Sequence, residues 1–337
     1  MQYFRPIAQT DAARPRDALS LAGGSVWFSH CEVLSRGAVP QIIPVSELPD
    51  DVKTRLSSPR AAIANIAMDK PAIMGVLNVT PDSFSDGGQH DDRLGAISRA
   101  MQMIGQGADI IDVGGESTRP GADFVDNSEE INRTIPVIAG LKLAKIPAPI
   151  SIDTRKAEVA SAAIDAGAVL FNDVTALSFD PDSIALAGDK KPFVCLMHAS
   201  GDPKTMQDNP QYDNVLLDVY DYLSTRVDAC IAAGVPRENI IVDPGIGFGK
   251  TRAHNVALIN GLSLFHGLGC PVLLGVSRKR FIGEITGEQD AAKRAVGSVA
   301  VALNGLSQGV QIIRCHDVTE HKQAFDMWNA MNQGSNT

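Results

Sequence analysis

The chain has 337 residues, 44% of them hydrophobic and 20% charged, so it is long enough for a large core and has an ordinary globular composition. Its formal net charge of −9 argues against a nucleic-acid or anionic-membrane surface, and no run approaches the roughly 20 apolar residues of a membrane helix. The N-terminus does not resemble a signal peptide, and the five scattered cysteines lack CxxC spacing, so we expect a cytoplasmic protein with reduced thiols.

Residues 1–70 lack the regular alternation of apolar runs and helical periodicity that the rest of the chain shows. Segments 25–34 and 41–45 are predicted strands. Ser46 is a candidate cap for a short helix over 47–56, because serine competes well for the free amides of a helix start. We find no chemical constellation in this part of the sequence.

From residue 73 short apolar runs alternate with helical periodicity. The predicted strands are 73–77, 109–113, 149–152, 168–171, 193–197, 240–242, 271–276 and 310–313. The clearest predicted helices are 93–107, 128–143, 155–166, 214–233 and 289–307. Strands separated by helices imply parallel crossovers. Eight such units predict an α/β fold of the TIM (β/α)8 barrel type, with an extra N-terminal segment of about 70 residues, and an open doubly wound sheet is the alternative.

Polar side chains recur where each predicted strand ends. They include Asn78, Asp153, Asn172, His198, Asp243, Arg314 and His316. In a barrel all these positions converge on the C-terminal mouth, where active sites lie. A single aspartate after a strand usually caps a helix, but the repetition favours a functional interpretation.

The acidic and amide residues suggest two kinds of chemistry. Asp153, Asn172 and Asp243 would suit a flat heterocycle with several N–H donors, or the two carboxylates could form an acid/base pair. We interpret Asp173 and Asp317 as helix caps.

The basic residues suggest an anion site. Arg314 and His316 are two positions apart on a strand and face the same side. With Arg119 they could hold a phosphate or diphosphate through charge-assisted hydrogen bonds. Asn78 could offer one oxygen to Mg²⁺. His198 is either a structural histidine or a substrate contact.

The stretch GIGFGKT at 245–251 resembles the end of a nucleotide-binding P-loop. That pattern requires a glycine at position 244, which is Pro244 here, and the dinucleotide fingerprint does not fit either. We therefore do not expect a nucleotide site.

Together the strand-end segments resemble the dihydropteroate synthases, the folate-pathway enzymes that sulfonamides target. The resemblance spans about 73–330. It rests on NVTPDSFSDGG at 78–88, GGESTRPG at 114–121, SIDTR at 151–155, NDV at 172–174, LMH at 196–198, DPGIGFG at 243–249, SRK at 277–279 and RCHDV at 314–318. Any one of these motifs is weak, but the ordered set is specific.

The resemblance implies a transferase that joins 6-hydroxymethyl-7,8-dihydropterin diphosphate to 4-aminobenzoate, giving 7,8-dihydropteroate and pyrophosphate with Mg²⁺. The implied pterin-binding residues are Asp153, Asn172, Met197, Asp243 and Lys279. The implied diphosphate-binding residues are Asn78, Arg119, Arg314 and His316, with the metal at Asn78. The implied aminobenzoate-binding residues are Phe84, Thr118, Arg119, Pro120, Phe248, Ser277 and Lys279. Asp153, Asp243, Lys279, Arg314 and His316 would be catalytic, and the loops holding Phe84 and Thr118 would close over the site.

The resemblance also implies a dissociative substitution, small-molecule substrates only and a homodimer through barrel helices. It leaves the N-terminal 70 residues unexplained, so we treat 1–70 as an extension and 71–333 as the pterin-binding barrel. The extension could cover the barrel floor, extend a dimer interface or bind a partner. The rival functions are a pterin-binding methyltransferase acting on a corrinoid protein and a non-catalytic pterin-binding protein.

Overall fold

The computed structural model describes residues 1–79, 89–117, 123–201 and 210–332. The segment 80–88, which holds Phe84 and is expected to close over the site, and the residues Thr118, Arg119 and Pro120 therefore lie outside the described residues. Among the helices that are described, none is long and apolar enough to cross a membrane.

An eight-stranded parallel sheet forms the centre of the fold and confirms the predicted barrel. Its strands are β6 (Ala72–Asn78), β7 (Ile110–Gly114), β8 (Ile150–Asp153), β9 (Leu170–Asp173), β10 (Phe193–Met197), β11 (Ile240–Asp243), β12 (Leu273–Gly275) and β13 (Ile312–Cys315). The spatial order is β11-β10-β9-β8-β7-β6-β13-β12. A parallel bridge between Val242 and Val272, with the Val242 N–H donating to Pro271 O at 3.0 Å, joins the two outer strands and closes the barrel.

Helices follow the strands and surround the barrel. Their bounds are α2 (Gln89–Gly105), α3 (Asn127–Leu143), α4 (Ala157–Ala166), α5 (Ser183–Lys190), α6 (Val215–Ala232), α7 (Arg252–Asn260), α8 (Arg280–Thr286), α9 (Ala295–Ser307) and α10 (Val318–Asn332). In α4 the side chains of Val159, Ala160 and Ala163 form a fully buried apolar face, as an amphipathic helix requires. Gly167 then ends the helix at φ 126°, a conformation that favours glycine.

The N-terminal residues form two small antiparallel sheets. The first contains β1 (Tyr3–Pro6), β4 (His30–Leu34) and β5 (Gln41–Pro44), and the second contains β2 (Leu19–Ser20) and β3 (Trp27–Phe28). The single strand predicted over 25–34 is therefore wrong. The chain passes from one sheet to the other at Ser29, so residues on either side pair with different partners.

The predicted Ser46-capped helix is also wrong. Ser46 lies inside a 3-10 turn (Val45–Glu47), and helix α1 runs from Asp50 to Ser57. Leu48 precedes Pro49 and has extended backbone angles (φ −68°, ψ 139°), as the proline ring requires of the residue before it. The helix therefore begins only after Pro49.

Residues at the end of the N-terminal extension close the barrel floor. Ile63 and Met68 are buried against Met74, Ile110 and other side chains at the N-terminal ends of the barrel strands. Of the roles left open for the extension, covering the floor is the one that this segment has.

The rest of the extension lies against the outside of the barrel. The Tyr3 hydroxyl donates to Asp221 on α6 at 2.8 Å, and the Ser263 hydroxyl donates to the carbonyl of Pro6 at 2.8 Å. Leu21, Phe28 and other extension side chains belong to the same hydrophobic cluster as the barrel helices. The extension therefore shares a core with the barrel.

Candidate active site

The parallel register brings the predicted strand-end residues side by side at the C-terminal mouth. Asn78 on β6 lies opposite Gly114 on β7, and Gly114 lies opposite Asp153 on β8. Asp153 in turn lies opposite Asn172 on β9. On the other side of the mouth Met197 pairs with Asp243, and Gly275 pairs with Arg314. The convergence expected from the sequence is thus present.

Arg314 binds two carboxylates at once. Its Nε donates to Asp112 Oδ2 at 2.6 Å, and its Nη2 donates to Asp153 Oδ2 at 2.6 Å. The amide of Asn172 also donates to Asp112 Oδ2, at 3.0 Å. Although burial disfavours the charge, the two carboxylates raise the pKa of Arg314 above its ordinary value. We call Arg314, Asp112, Asp153 and Asn172 the arginine clamp.

Asp112 is the functional candidate that sequence reasoning missed. It is fully buried in the middle of β7, between Ile111 and Val113. The sequence contained a usable signal, because an aspartate inside an apolar strand requires a buried partner. The strand-end rule overlooks it because Asp112 lies two residues before the end of β7.

The arginine clamp leaves acceptors free inside the barrel. Within the part of the chain that the structure describes, Asp112 Oδ1, Asp153 Oδ1 and Ser151 Oγ are buried without a hydrogen-bond partner. Such groups cost free energy unless a ligand or water satisfies them. Burial raises the pKa of Asp153 to about 7, since Arg314 offsets the effect only in part and the negative charge of Asp112 raises the pKa further. A ligand with several N–H donors would satisfy these acceptors.

Asp243 and Lys279 form the opposite wall of the site. Asp243 is 5% exposed, and its Oδ1 accepts the Gly245 N–H at 2.7 Å. The Lys279 amine donates to the carbonyl of Ile246 and lies 4.2 Å from the centre of the Phe248 ring. Burial lowers the pKa of Lys279 to about 7, and the carboxylate of Asp243 opposes that shift.

Ser277 and His316 are joined at the rim. The Ser277 hydroxyl oxygen accepts the His316 backbone N–H at 3.1 Å and lies 3.0 Å from His316 Nδ1. The sequence placed these two residues in different subsites, and the structure brings them into contact. Their neighbour Arg278 has a positive φ of 59° and pairs with Asp317, donating from Nε at 3.0 Å.

Both interpretations of aspartates as helix caps are wrong. The Asp317 carboxylate binds Arg278 instead of helix amides. Asp173 accepts the N–H groups of Thr175 (2.7 Å) and Leu177 (2.9 Å), which lie in a loop well before α5. Asp173 therefore fixes the turn that follows β9.

A buried ion cluster stands beside the mouth. Lys156 Nζ donates to Glu130 at 2.6 Å and lies 3.2 Å from Glu116, which also binds Arg155 at 3.2 Å. Lys156 Nζ further donates to the carbonyl of Val125 at 2.5 Å. The cluster ties the end of β7 to the start of α3 and α4.

We expect Lys156→Met to destabilise the protein by about 3–5 kcal/mol, because Glu130 would remain buried without its cation. Urea unfolding measures the change. Lys190→Met is the control, since Lys190 pairs with an exposed Asp165 and such a pair is worth about 0–1 kcal/mol. Equal losses in the two variants would contradict the expectation.

The residues fit a hard cation only in part. Asn78 supplies an amide oxygen at the mouth. This oxygen and Asp153 Oδ2 both lie near Gly114, because a Cβ added to Gly114 would be 3.9 Å from Asn78 Oδ1 and 3.7 Å from Asp153 Oδ2. Over the ranges that the structure describes, no group of three or more His, Cys, Asp or Glu side chains could hold a metal. Asn78 is therefore one oxygen donor that the mouth offers to a hard cation such as Mg²⁺.

The comparisons with known proteins agree with this geometry. Residues 74–316 match the family of pterin binding enzymes. The chain is 47% identical over 271 residues to the dihydropteroate synthase of Neisseria meningitidis serogroup B, covering 79% of this chain and 94% of that protein. The structure of the Xanthomonas albilineans dihydropteroate synthase with 4-aminobenzoic acid superposes with a TM-score of 0.76 at 43% identity, covering 81% of this chain and 98% of that one. The Yersinia pestis dihydropteroate synthase in a sulfonamide drug complex gives a TM-score of 0.76 at 40% identity, covering 82% and 100%.

Proposed function

The chain belongs to the dihydropteroate synthase family of pterin-binding enzymes, and we propose that the barrel mouth performs that family's reaction with the residues described above. In this transferase reaction 6-hydroxymethyl-7,8-dihydropterin diphosphate and 4-aminobenzoate give 7,8-dihydropteroate and pyrophosphate. The observation that carries the assignment is the arginine clamp. The clamp places carboxylate and amide acceptors, which suit a flat heterocycle, next to a guanidinium that can bind phosphate.

The pterin lies between the two walls of the mouth. Its N–H donors meet the free oxygens of Asp112 and Asp153 on one side and Asp243 on the other. Asn172 contributes its amide oxygen, since its amide nitrogen already donates to Asp112. Met197 is 5% exposed at the end of β10 and supplies an apolar contact to the ring.

The diphosphate lies at the rim beside Arg314 and His316. Asn78 and the diphosphate oxygens together would hold Mg²⁺, which would neutralise charge on the leaving group. Arg314 is fixed by two carboxylates, so its charge needs little rearrangement when pyrophosphate departs. Arg119, the further predicted phosphate contact, lies outside the described residues.

The aminobenzoate enters on the side of Phe248, Ser277 and Lys279. The half-buried Phe248 ring offers an apolar face next to the Lys279 amine. The Phe84, Thr118 and Pro120 contacts implied by the family resemblance remain predictions, because these residues lie outside the described ranges.

The mechanism that fits is a dissociative substitution. The C–O bond to the diphosphate breaks first, and the cation left on the pterin methylene is stabilised by the carboxylates of Asp153 and Asp243. The amine of aminobenzoate then forms the new C–N bond and loses a proton. No protein nucleophile is required, and the residues at the mouth serve to bind, orient and compensate charge.

A turnover assay tests this function. The purified chain with the pterin diphosphate, aminobenzoate and Mg²⁺ should release pyrophosphate, and a sulfonamide should compete with aminobenzoate. Pterin binding without pyrophosphate release would instead identify the non-catalytic rival. Methyl transfer from methyltetrahydrofolate to a corrinoid protein would identify the other.

We also propose that the active form is a homodimer built on α7, α8 and α9. Helix α9 is apolar on nearly every face, and such helices are normally buried all round. Val296 on α9 is nevertheless 83% exposed, and Ile285 on α8 and Val256 on α7 are also exposed. Exposed apolar side chains on three helices that contact one another favour an interface.

We expect Val296→Asp to convert the dimer to a monomer, because the interface would have to bury an unpaired carboxylate. Multi-angle light scattering over a dilution series measures the mass. Leu143→Asp is the matched control, since Leu143 is equally exposed (85%) but lies at the end of α3. A parent protein that is monomeric at every concentration would refute the proposal.

A further inference from the structure

The motif set aside as a false P-loop contains an unusually buried lysine. Lys250 is 3% exposed. Its Nζ lies 2.8 Å from the carbonyl oxygen of Gly245, 2.9 Å from that of Phe248 and 3.2 Å from that of His198. It also lies 2.9 Å from His198 Nδ1. Lys250 is therefore surrounded by acceptors that carry no formal charge.

The His198 ring is suited to accept a hydrogen bond from the Lys250 amine at Nδ1. Burial and the neighbouring amine lower the pKa of His198 to about 2, so the ring is neutral. The ring is 6% exposed and lies edge-on to Tyr222 at 4.9 Å. Of the two roles considered for His198, the structural role is the one that these contacts support.

Loop 244–249, whose carbonyl oxygens Lys250 binds, also contacts residues of the candidate active site. The Gly245 N–H donates to Asp243, the Ile246 carbonyl accepts from Lys279, and the Phe248 ring lies against the Lys279 amine. Gly245 has a φ of +68°, and a Cβ there would lie 1.9 Å from the His198 carbonyl oxygen. The bonds from Lys250 to the Gly245 and Phe248 carbonyls, and the close approach of Gly245 to His198, therefore tie this loop to Lys250 and to the end of β10.

We propose that Lys250 is a positioning residue that fixes loop 244–249, and through it the Lys279 amine and the Asp243 carboxylate. Lys250 itself does not touch substrate. The inference rests on the proposed function, because Lys279 and Asp243 are assigned to the pterin there. It explains why a P-loop-like sequence ends in a lysine that binds the loop's own carbonyls.

A double-mutant cycle on pterin diphosphate affinity, measured by calorimetry, tests this role. Lys250→Met should weaken binding roughly 30-fold, because three carbonyls lose their donor and the loop shifts. In a Lys279→Ala background the same change should cost less than roughly 5-fold, because one of the groups that the loop positions is already absent. A residue with a merely structural role would give the same loss in both backgrounds.

Two further variants keep the test decisive. Val219→Ala, a core truncation on α6, controls for global stability and should lower the melting temperature without changing affinity. If Lys250→Met does not fold, His198→Phe removes one acceptor while keeping a ring against Tyr222, and it should weaken binding roughly 3-fold to 10-fold with the same coupling to Lys279.

The outcomes separate the two proposals. If the parent protein does not bind the pterin diphosphate, the proposed function fails. If the parent binds it, and the folded Lys250 or His198 variant binds equally well or shows additive losses, only the positioning role is overturned.

Discussion

Replacing Arg314 with methionine should lower kcat/KM at least ~10³-fold and destabilise the fold by about 3–5 kcal/mol. The activity loss follows because the variant lacks the guanidinium that we propose binds the leaving diphosphate. The stability loss follows because Asp112 is fully buried and would keep its carboxylate without a cation. Steady-state kinetics and urea unfolding measure the two effects separately.

Arg314→Lys is the matched control for charge. A lysine keeps the positive charge but has no planar fork, so it cannot bind Asp112 and Asp153 in the same way. We expect it to recover part of the stability and little of the activity. Full activity in Arg314→Lys would show that charge alone, without the two-carboxylate geometry, is what the reaction needs.

The pH dependence of the Arg314→Met variant gives a further check. Burial already raises the pKa of Asp153, and removing Arg314 removes the main influence that opposes that rise. A carboxyl whose folded pKa exceeds its unfolded pKa stabilises the fold at low pH and loses that contribution as the pH rises through the folded value. The deficit in unfolding free energy should therefore be smaller at pH 5 than at pH 8. A deficit that is unchanged between these pH values would argue that Asp153 is not the group left unpaired.

The barrel could be predicted from the sequence because its strands are buried on both faces and read as short apolar runs. Because each apolar run ends at a polar residue, such as Asn78, Asp153 or Asp243, the sequence also indicated which residues lie at the mouth of the barrel. Asp112 was missed because it interrupts a strand instead of ending one, and its partners Asn172 and Arg314 lie far along the chain, Arg314 at a separation of 202 residues.

Other errors arise where a neighbouring residue or a tertiary partner overrides a simple positional rule. Ser46 is a good helix cap in isolation, but Pro49 prevents the helix from starting there. Asp317 precedes α10 as a cap would, but Arg278 lies close enough to take its carboxylate. Residues 63–68 have no regular pattern because their role is to fill the barrel floor, which depends on the other strands.

The structure predicts that Asp153→Asn strongly weakens pterin binding without destabilising the protein. Asp153 is 8% exposed, and burial raises its pKa to about 7, so the free protein is not stabilised by the ionised form. The contribution of this carboxyl to stability is present at low pH and is lost as the pH rises through about 7. An asparagine avoids that loss, and Arg314 keeps its bond to Asp112. We therefore expect an unfolding free energy at pH 8 within about 1 kcal/mol of the parent.

Unlike the contribution to stability, pterin binding should become stronger as the pH rises, because the pterin N–H donors need an anionic acceptor. In the parent, affinity for the pterin diphosphate should increase as the pH rises through about 7 and Asp153 ionises. In Asp153→Asn the affinity should no longer change with pH over this range, and it should be at least ~10²-fold weaker than in the parent. A charged acceptor is lost, and an amide N–H group faces the donors of the pterin. Calorimetry between pH 6 and pH 8.5 measures both. A variant that binds as tightly as the parent, or that keeps the same pH dependence, would show that another group recognises the pterin. Asp112, Asn172 and Asp243 would then be the residues to replace next, because they are further acceptors of the site.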